Sequence, residues 1–567
     1  MKLFNRRRRH EIDPDEIFLD SSNIAHMDEA QFEGRVEHPV SRVAIVAIGF
    51  VFVIGMFIFA GQAFTLQVLN GETYADISRE NRLARAIVFA TRGIIYDRTG
   101  KQLAWNDASE AGVATTTDDH FVEREFARRR YTELDGLAHL LGFVRYPKKD
   151  ESGAWWREEY TGVSGVELVY DEALRGQNGS RLIETDAVGA LQRAHIVLPP
   201  VEGTDLKLSI DAEVQSELYK RLSAHAENQG FRGGAAVIMD VRSGEILALT
   251  SFPEYDNAAF TDGDTAAIQD ANIDPRTPLL NRAVAGLYTP GSIVKPLFAA
   301  AALEEGIIDP EKEILSTGKL VVPNPYNPDE PTIFRDWKAH GYTDMRRAIA
   351  VSSDVYFYTI GGGFGGQQGL GISRLDEYAQ KFGLSSLSGI PLLGELAGTI
   401  PTPEWKEKVF DGDPWRLGDT YITSIGQFGF QITPIQAVRF TAAIANGGQL
   451  LKPHLTTGPL EAVPVGSTDE HLQIVREGMR AAVTDGGTAA ALNIAGIEIA
   501  GKTGTAELGE RNQFMNSWVV GFWPASKPKY AFAVVLERAP AGTLSGASPG
   551  MSQFFYWLVQ NKPEYVE

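Results

Sequence analysis

The sequence predicts an α+β fold: one apolar helix near the N-terminus, a strand-and-turn segment after it, and a larger unit whose antiparallel sheet is covered by helices. Three observations carry this expectation. Val43–Gly61 is an unbroken apolar run. Strand-like runs stand at both ends of the region from about 204 to 562, AAVIMDV and EILALTS at one end, EIAGKTGTAEL, SWVVGFW and YAFAVVLE at the other. Beyond Tyr288, helical patterns fill the space between them. At 567 residues the chain is too long for one core and long enough for two or three domains.

Composition excludes several function classes. Apolar (44%) and charged (22%) contents are those of globular protein. A formal charge of −20 argues against a nucleic-acid partner, which needs a basic face. The absence of cysteine removes thiol catalysis, disulfides and thiolate metal sites, and suits an oxidising exterior.

The elements follow in order. Residues 1–42 form a tail in which the run Arg6–Arg9 is mixed with Asp and Glu, so it reads as solvated rather than lipid-bound. Residues 43–66 read as a membrane-spanning helix, because 19 residues without a polar side chain nearly span the hydrocarbon layer. Gly61-Gln62-Ala63 could pass as a signal cleavage site, but a 42-residue leader is too long, which favours an uncleaved anchor. Arg35 and Arg42 before the span balance Arg79, Arg82 and Arg85 after it, so charge counting assigns no orientation. Residues 67–203 mix short strands (Ala86–Ala90, Gly93–Asp97) with an Asp-Arg-Thr-Gly turn and show no catalytic spacing, as a spacer or interaction module would. The last unit, 204–562, begins with a strand, then Asp211 as N-cap of an amphipathic helix, then a hairpin turning at Arg-Ser-Gly.

The chemistry is concentrated in this last unit. YTPGSIVKPLFAAAALEEG starts a helix near Ser292 and puts Lys295 at i+3, within reach of the serine oxygen. The following LFAAAAL is apolar all round, as in a buried helix. A lysine at the edge of that core is expected to be desolvated, neutral and able to take a proton from serine. Ser352-Ser353-Asp354 places a hydroxyl and a carboxylate on one turn, although such a sequence is commonly a helix cap. Lys502-Thr503-Gly504-Thr505 lies on a strand: Lys502 as fixed positive charge, the threonine hydroxyls for a carboxylate, Gly504 to let a substrate strand pass, and the strand edge as an oxyanion donor. Gly496-Ile-Glu-Ile-Ala-Gly501-Lys502-Thr503 has the spacing of a phosphate-binding loop, but the run reads as a strand and no helix follows it. Gly361–Gly366 fits a dinucleotide pattern but follows a helix, so it reads as a loop. There is no zinc-protease helix, and no histidine neighbours Ser292 in sequence.

In this order, Ser292–Lys295, Ser352–Asp354 and Lys502–Gly504 resemble the motif set of penicillin-binding proteins and class A β-lactamases. ATRGIIYDRTGKQLA and GVSGVELVYDEALRGQNG resemble the pedestal of class B penicillin-binding proteins, and NRAVAGLYTPGSIVKP resembles the setting of their nucleophile. Phe334–Lys338 with His340-Gly341, SSDVYFY, TPEWK, GDTYITSIGQ and ITPIQ are similar to the elongation subgroup, penicillin-binding protein 2. Two departures stand out: Phe428-Gly429-Phe430 follows SIGQ where the family has glycine first, and Asn516-Ser517-Trp518 replaces His-Ala-Trp.

The resemblance implies a pedestal or dimerisation domain over 67–203 and a serine β-lactamase-like, penicillin-binding transpeptidase domain over 204–562, anchored outside the cytoplasm with the N-terminus inside. It implies a monofunctional D,D-transpeptidase that cross-links peptidoglycan stem peptides through an acyl-enzyme, needs no metal or cofactor, and is acylated by β-lactams. Ser292 would be the nucleophile, Lys295 its proton acceptor, Ser352 a relay and Asp354 its orienter. Lys502, Thr503, Gly504 and Thr505 would form the substrate-binding strand. A SEDS-family glycosyltransferase is the implied partner. A septal transpeptidase, a β-lactam sensor, a β-lactamase and a scaffold are the alternatives.

Overall fold

Ser41 caps a helix, α1 (Arg42–Phe64), by accepting the Ala44 N–H at 3.1 Å. In this computed structural model, which describes residues 41–72, 83–107, 115–117, 120–122, 126–185, 191–324, 327, 329–509 and 511–566, the helical path continues through a wider turn over Thr65–Leu69. The 28 residues Arg42–Leu69 make a rod of about 40 Å, longer than a hydrocarbon layer of roughly 30 Å. No residue of α1 is buried, so its apolar surface is left for another phase. The tail with its arginine run lies outside the described residues, apart from residues 41 and 42.

The chain divides into two compact units, the first containing α1 and Leu182–His195, the second comprising Arg85–Arg181 and Ile196–Glu567. Within the second unit β1 (Ile95–Tyr96), β2 (Gln102–Asp107), β3 (Arg128–Tyr131) and β4 (Leu206–Lys207) form a sheet in the order β4-β1-β2-β3. The predicted turn after β1 is made by Asp97, whose Oδ1 accepts the N–H of Thr99 (2.8 Å) and Lys101 (2.9 Å). The two pedestal-like segments meet through charge. Arg92 donates to Glu167 at 2.6 Å and to Asp171 at 2.7 Å, and Arg129 donates to Glu167 at 2.8 Å. The Arg92, Arg129 and Glu167 side chains are fully buried, which ions tolerate only when paired this closely. Helix α2 (Ala138–Leu141) starts where the Glu254 carboxylate accepts the N–H of Gly136 (2.6 Å) and Ala138 (3.0 Å).

Asp211 caps α3 (Ala212–Gln229) as expected, accepting the Glu213 and Val214 N–H groups at 3.1 Å. The predicted hairpin is β5 (Gly233–Asp240) with β6 (Ile246–Phe252). Helices α4 (Lys295–Glu304), α5 (Met345–Val351), α6 (Asp354–Gly362), α7 (Pro403–Val409), α8 (Leu417–Ser424) and α9 (Pro434–Ala445) follow. The predicted strands return as β7 (Ala500–Leu508), β8 (Phe514–Trp523) and β9 (Tyr530–Pro540), and α10 (Ala547–Asn561) follows them. The sheet is antiparallel, in the order β6-β5-β9-β8-β7.

Alternation along each strand sorts two cores. Val237, Val520 and Ala533 face the side of α4 and α9; Ile238, Val519 and Val534 face the side of α3 and α10. Both faces are covered, which is why these strands read as continuous apolar runs. Strand β7 is the edge, and the site is built against it.

Candidate active site

The turn that carries Ser292 is held on three sides. Tyr288 and Ile432 exchange backbone hydrogen bonds at 2.9 Å, the Trp518 indole donates to Thr289 O at 3.0 Å, and Gly291 N donates to Gly426 O at 2.9 Å. Gly291 has φ +56°, and a Cβ there would stand 2.6 Å from Thr505 O, so glycine is required twice over. Ser292 does not open an α-helix as predicted. Gly291–Val294 is a 3₁₀ turn, and α4 begins at Lys295. With three residues per turn, positions 292 and 295 eclipse, which puts both side chains on one side. Ser292 is half-buried, whereas Lys295 is fully buried.

Lys295 Nζ donates to Asp354 Oδ1 at 2.6 Å, Ser352 O at 2.8 Å and Ser352 Oγ at 3.3 Å. Those bonds use the three donors of the ammonium. No hydrogen bond joins it to Ser292 Oγ among the described residues. The sequence suggested an uncharged Lys295 amine beside the serine oxygen; here that amine is ion-paired with Asp354.

Lys502 is also fully buried, on β7. Its Nζ donates to Ser352 Oγ at 2.7 Å and to Thr503 O at 2.8 Å. Burial pushes its amine well below the ordinary lysine range, the nearby Lys295 charge pushes it further, and Asp354 offsets part of this. The expected fixed charge at Lys502 is therefore the amine that the fold inclines toward neutrality.

Ser352 ends α5 in the left-handed conformation, φ 60° and ψ 39°, and this turns its hydroxyl between the two amines. Ser353 is the cap that the sequence allowed for: its Oγ accepts the Tyr356 N–H at 3.3 Å at the start of α6. The same hydroxyl donates to Asp336 at 2.9 Å. One oxygen of Asp336, Oδ2, also accepts Ser316 Oγ at 3.0 Å and Val355 N at 3.1 Å, so this buried carboxylate pins the turn that carries Ser352 and Asp354. In the sequence Asp336 stands only within a subgroup signature, and nothing local to it announces partners 17 and 19 residues away. His340 approaches Asp336 at 3.4 Å without hydrogen-bonding geometry, and burial lowers its pKa.

Along β7, Thr503 is half-buried and donates to Thr488 Oγ1 at 2.7 Å, while Thr505 is exposed. Gly504 faces the turn that carries Ser292, where the sequence suggested room for a substrate strand. A Cβ there would lie 2.8 Å from both Ile293 Cγ2 and Pro290 O. The two departures have local reasons. Asn516 Oδ1 accepts the Arg538 N–H at 2.9 Å across a bulge between β8 and β9, and Ser517 Oγ accepts the Ala547 N–H at 2.9 Å as α10 begins. Phe428 packs among Trp405, Phe410 and Trp415. The run Gly361–Gly366, expected as a loop, gives its first two residues to α6, where they pack on Ser424 and Tyr421.

Comparison with known proteins agrees with this architecture. Residues 234–554 match the penicillin binding protein transpeptidase domain, and residues 122–208 match the penicillin-binding protein dimerisation domain. The peptidoglycan D,D-transpeptidase MrdA of Acinetobacter baumannii is 30% identical over 91% of this chain and 87% of its own length. Among solved structures, the Pseudomonas aeruginosa PBP2 in complex with WCK 5153 is 30% identical, with a TM-score of 0.65 over 85% of this chain and 100% of that one. The Helicobacter pylori PBP2 in complex with MreC is 27% identical, with a TM-score of 0.67 over 84% of this chain and 99% of that one. The chain belongs to the penicillin-binding protein transpeptidase family.

Proposed function

We propose that this protein is a serine D,D-transpeptidase that cross-links peptidoglycan stem peptides during wall elongation and is acylated by β-lactams. The observation that carries the reading is the Ser352 hydroxyl held between two buried amines, one three residues on from a serine on a 3₁₀ turn and the other on the edge strand. Relatives named MrdA and PBP2 favour elongation over a septal role.

Ser292 attacks the carbonyl between two D-alanines. Its proton passes to Lys295, on the same side of the turn. The Ser352 hydroxyl joins Lys295 to Lys502, the amine biased toward neutrality, so a proton on Lys295 has an acceptor two hydrogen bonds away. Both lone pairs of Ser352 Oγ are taken by amine donors, so its own hydrogen is free to go to the leaving D-alanine nitrogen. Asp354 orients Lys295. The Thr505 hydroxyl, and that of Thr503 once Thr488 donates to it in turn, hold the terminal carboxylate with Lys502 behind them. The Ser292 and Thr505 N–H groups stabilise the oxyanion, a contribution of about 3 kcal/mol per donor. An amine of a neighbouring strand then takes the acyl group.

The same reading makes 67–203 a pedestal and 204–562 the transpeptidase domain, with α1 as a single-pass anchor. The tail is then cytoplasmic and the catalytic domain outside, where peptidoglycan lies. The pedestal is the surface for partners: a SEDS-family glycosyltransferase, and a protein of the MreC kind, the partner named for the Helicobacter PBP2.

The test is labelling by a fluorescent penicillin in wild type and Ser292→Ala. The wild type is expected to label and the variant to stay dark; equal labelling overturns the reading. Slow release of the label separates it from a β-lactamase, which would turn the probe over.

A further inference from the structure

Phe428 is a bulky residue at φ +64°, between Gly426 at +76° and Gly429 at +79°. A phenylalanine in the left-handed region is strained, and it persists only where its surroundings hold it. Its surroundings do so. The ring stacks on Phe410 with centroids 5.8 Å apart and planes 5° from parallel. It meets Trp405 edge-on at 5.7 Å and Trp415 edge-on at 5.9 Å. Lys406 Nζ lies 5.6 Å from its centre, itself fixed by Asp413 at 2.8 Å and Asp419 at 2.7 Å. A Cβ on Gly429 would overlap Trp405, so the next residue is tied to the same box.

The residue before Phe428 touches the site. Gln427 Nε2 donates to Thr505 O at 3.3 Å. Thr505 O also sits over Gly291, so residue 505 is held between the Gln427 amide and the nucleophile turn. We infer that Phe428 is a positioning residue: the aromatic box of Trp405, Phe410 and Trp415 grips its ring, fixes the left-handed backbone, and thereby holds Gln427 against Thr505 on the edge of β7. The inference rests on the transpeptidase reading, because what it positions is the strand edge proposed to receive the oxyanion. The sequence signal was the phenylalanine standing where the family has glycine. A glycine there reaches this φ freely, and Phe428 reaches it through the box.

The experiment follows acylation of the full chain in detergent by a fluorescent penicillin at several concentrations, giving the binding constant and the acylation rate constant separately. Phe428→Gly keeps the backbone accessible but removes the grip. Its acylation rate constant is expected to fall about tenfold with probe binding unchanged within about twofold. Gln427→Ala should fall to a similar extent, and the double variant should be no slower than Gln427→Ala alone, because the two residues act in series. Phe428→Tyr, which keeps the ring, should restore the wild-type rate. If Phe428→Gly folds poorly, Phe428→Asn tolerates the left-handed backbone without a ring and should show the same loss. Wild-type rates in Phe428→Gly or Phe428→Asn, or losses that multiply with Gln427→Ala, overturn the inference while leaving the transpeptidase reading standing. A wild type that no penicillin acylates overturns both.

Discussion

Lys502 Nζ stands 2.7 Å from Ser352 Oγ, fully buried, and shares that hydroxyl with Lys295. Two amines on one oxygen cannot both carry charge cheaply, and Lys502 is the one with no carboxylate partner of its own at ion-pair distance among the described residues.

This arrangement fixes the pH behaviour. Lys502 has a depressed pKa, so its neutral form exists above that pKa and is lost as pH falls through it. Acylation by a penicillin should rise with pH to a plateau. The linked stability runs the same way, because below the unfolded lysine value the unfolded chain binds the proton more readily. Lys502→Arg, which stays charged, should lower acylation by about 10²-fold or more and flatten the profile; stopped-flow labelling between pH 5 and 9 checks this.

Asp336 touches no reacting group, yet it holds Ser353 Oγ, Ser316 Oγ and Val355 N on one oxygen. Asp336→Ala strands these buried donors and should cost about 3 kcal/mol or more. It should also slow acylation, because Ser352 and Asp354 flank the loosened residue. Thermal unfolding and labelling of the same preparation test both effects.

Gly504→Ala places a methyl 2.8 Å from Ile293 Cγ2 and Pro290 O. The turn that carries Ser292 must move. Overpacking of this kind costs about 1–3 kcal/mol, and a shift of that turn should slow acylation by at least about tenfold. A Gly504→Ala variant with wild-type kinetics would show that the turn has slack.

Glu254 caps α2 from a half-buried position, and burial raises its pKa to about 7. The folded chain therefore holds this proton more tightly than the unfolded chain, and stability falls as pH rises from about 4.5 to about 7. Solvent screening limits the effect to roughly 1–2 kcal/mol. Melting curves between pH 5 and 8 should show the slope in wild type and a flatter one in Glu254→Gln.

The strands were legible because a sheet covered on both faces leaves whole apolar runs such as SWVVGFW, and Asp211 was legible because caps are local. Lys295, Ser352, Asp354 and Lys502 were named from spacing, and the fold gathers them into one hydrogen-bonded cluster. Less of the chemistry was legible. The bias of Lys502 toward neutrality depends on burial of an edge-strand residue, which composition does not reveal. The 3₁₀ turn at Ser292 depends on contacts from Gly426 and Trp518, more than a hundred residues away in sequence. Asp336 needed the tertiary fold before its partners existed.

The meeting of Gly291 with Thr505 and of Gly504 with Ile293 leaves an evolving lineage little freedom. A side chain grown at either glycine to turn away a bulky antibiotic would displace the Ser292 turn along with the drug. Escape from such a drug at tolerable cost to wall synthesis should therefore avoid both glycines, so surveillance of resistant isolates is best directed at other positions.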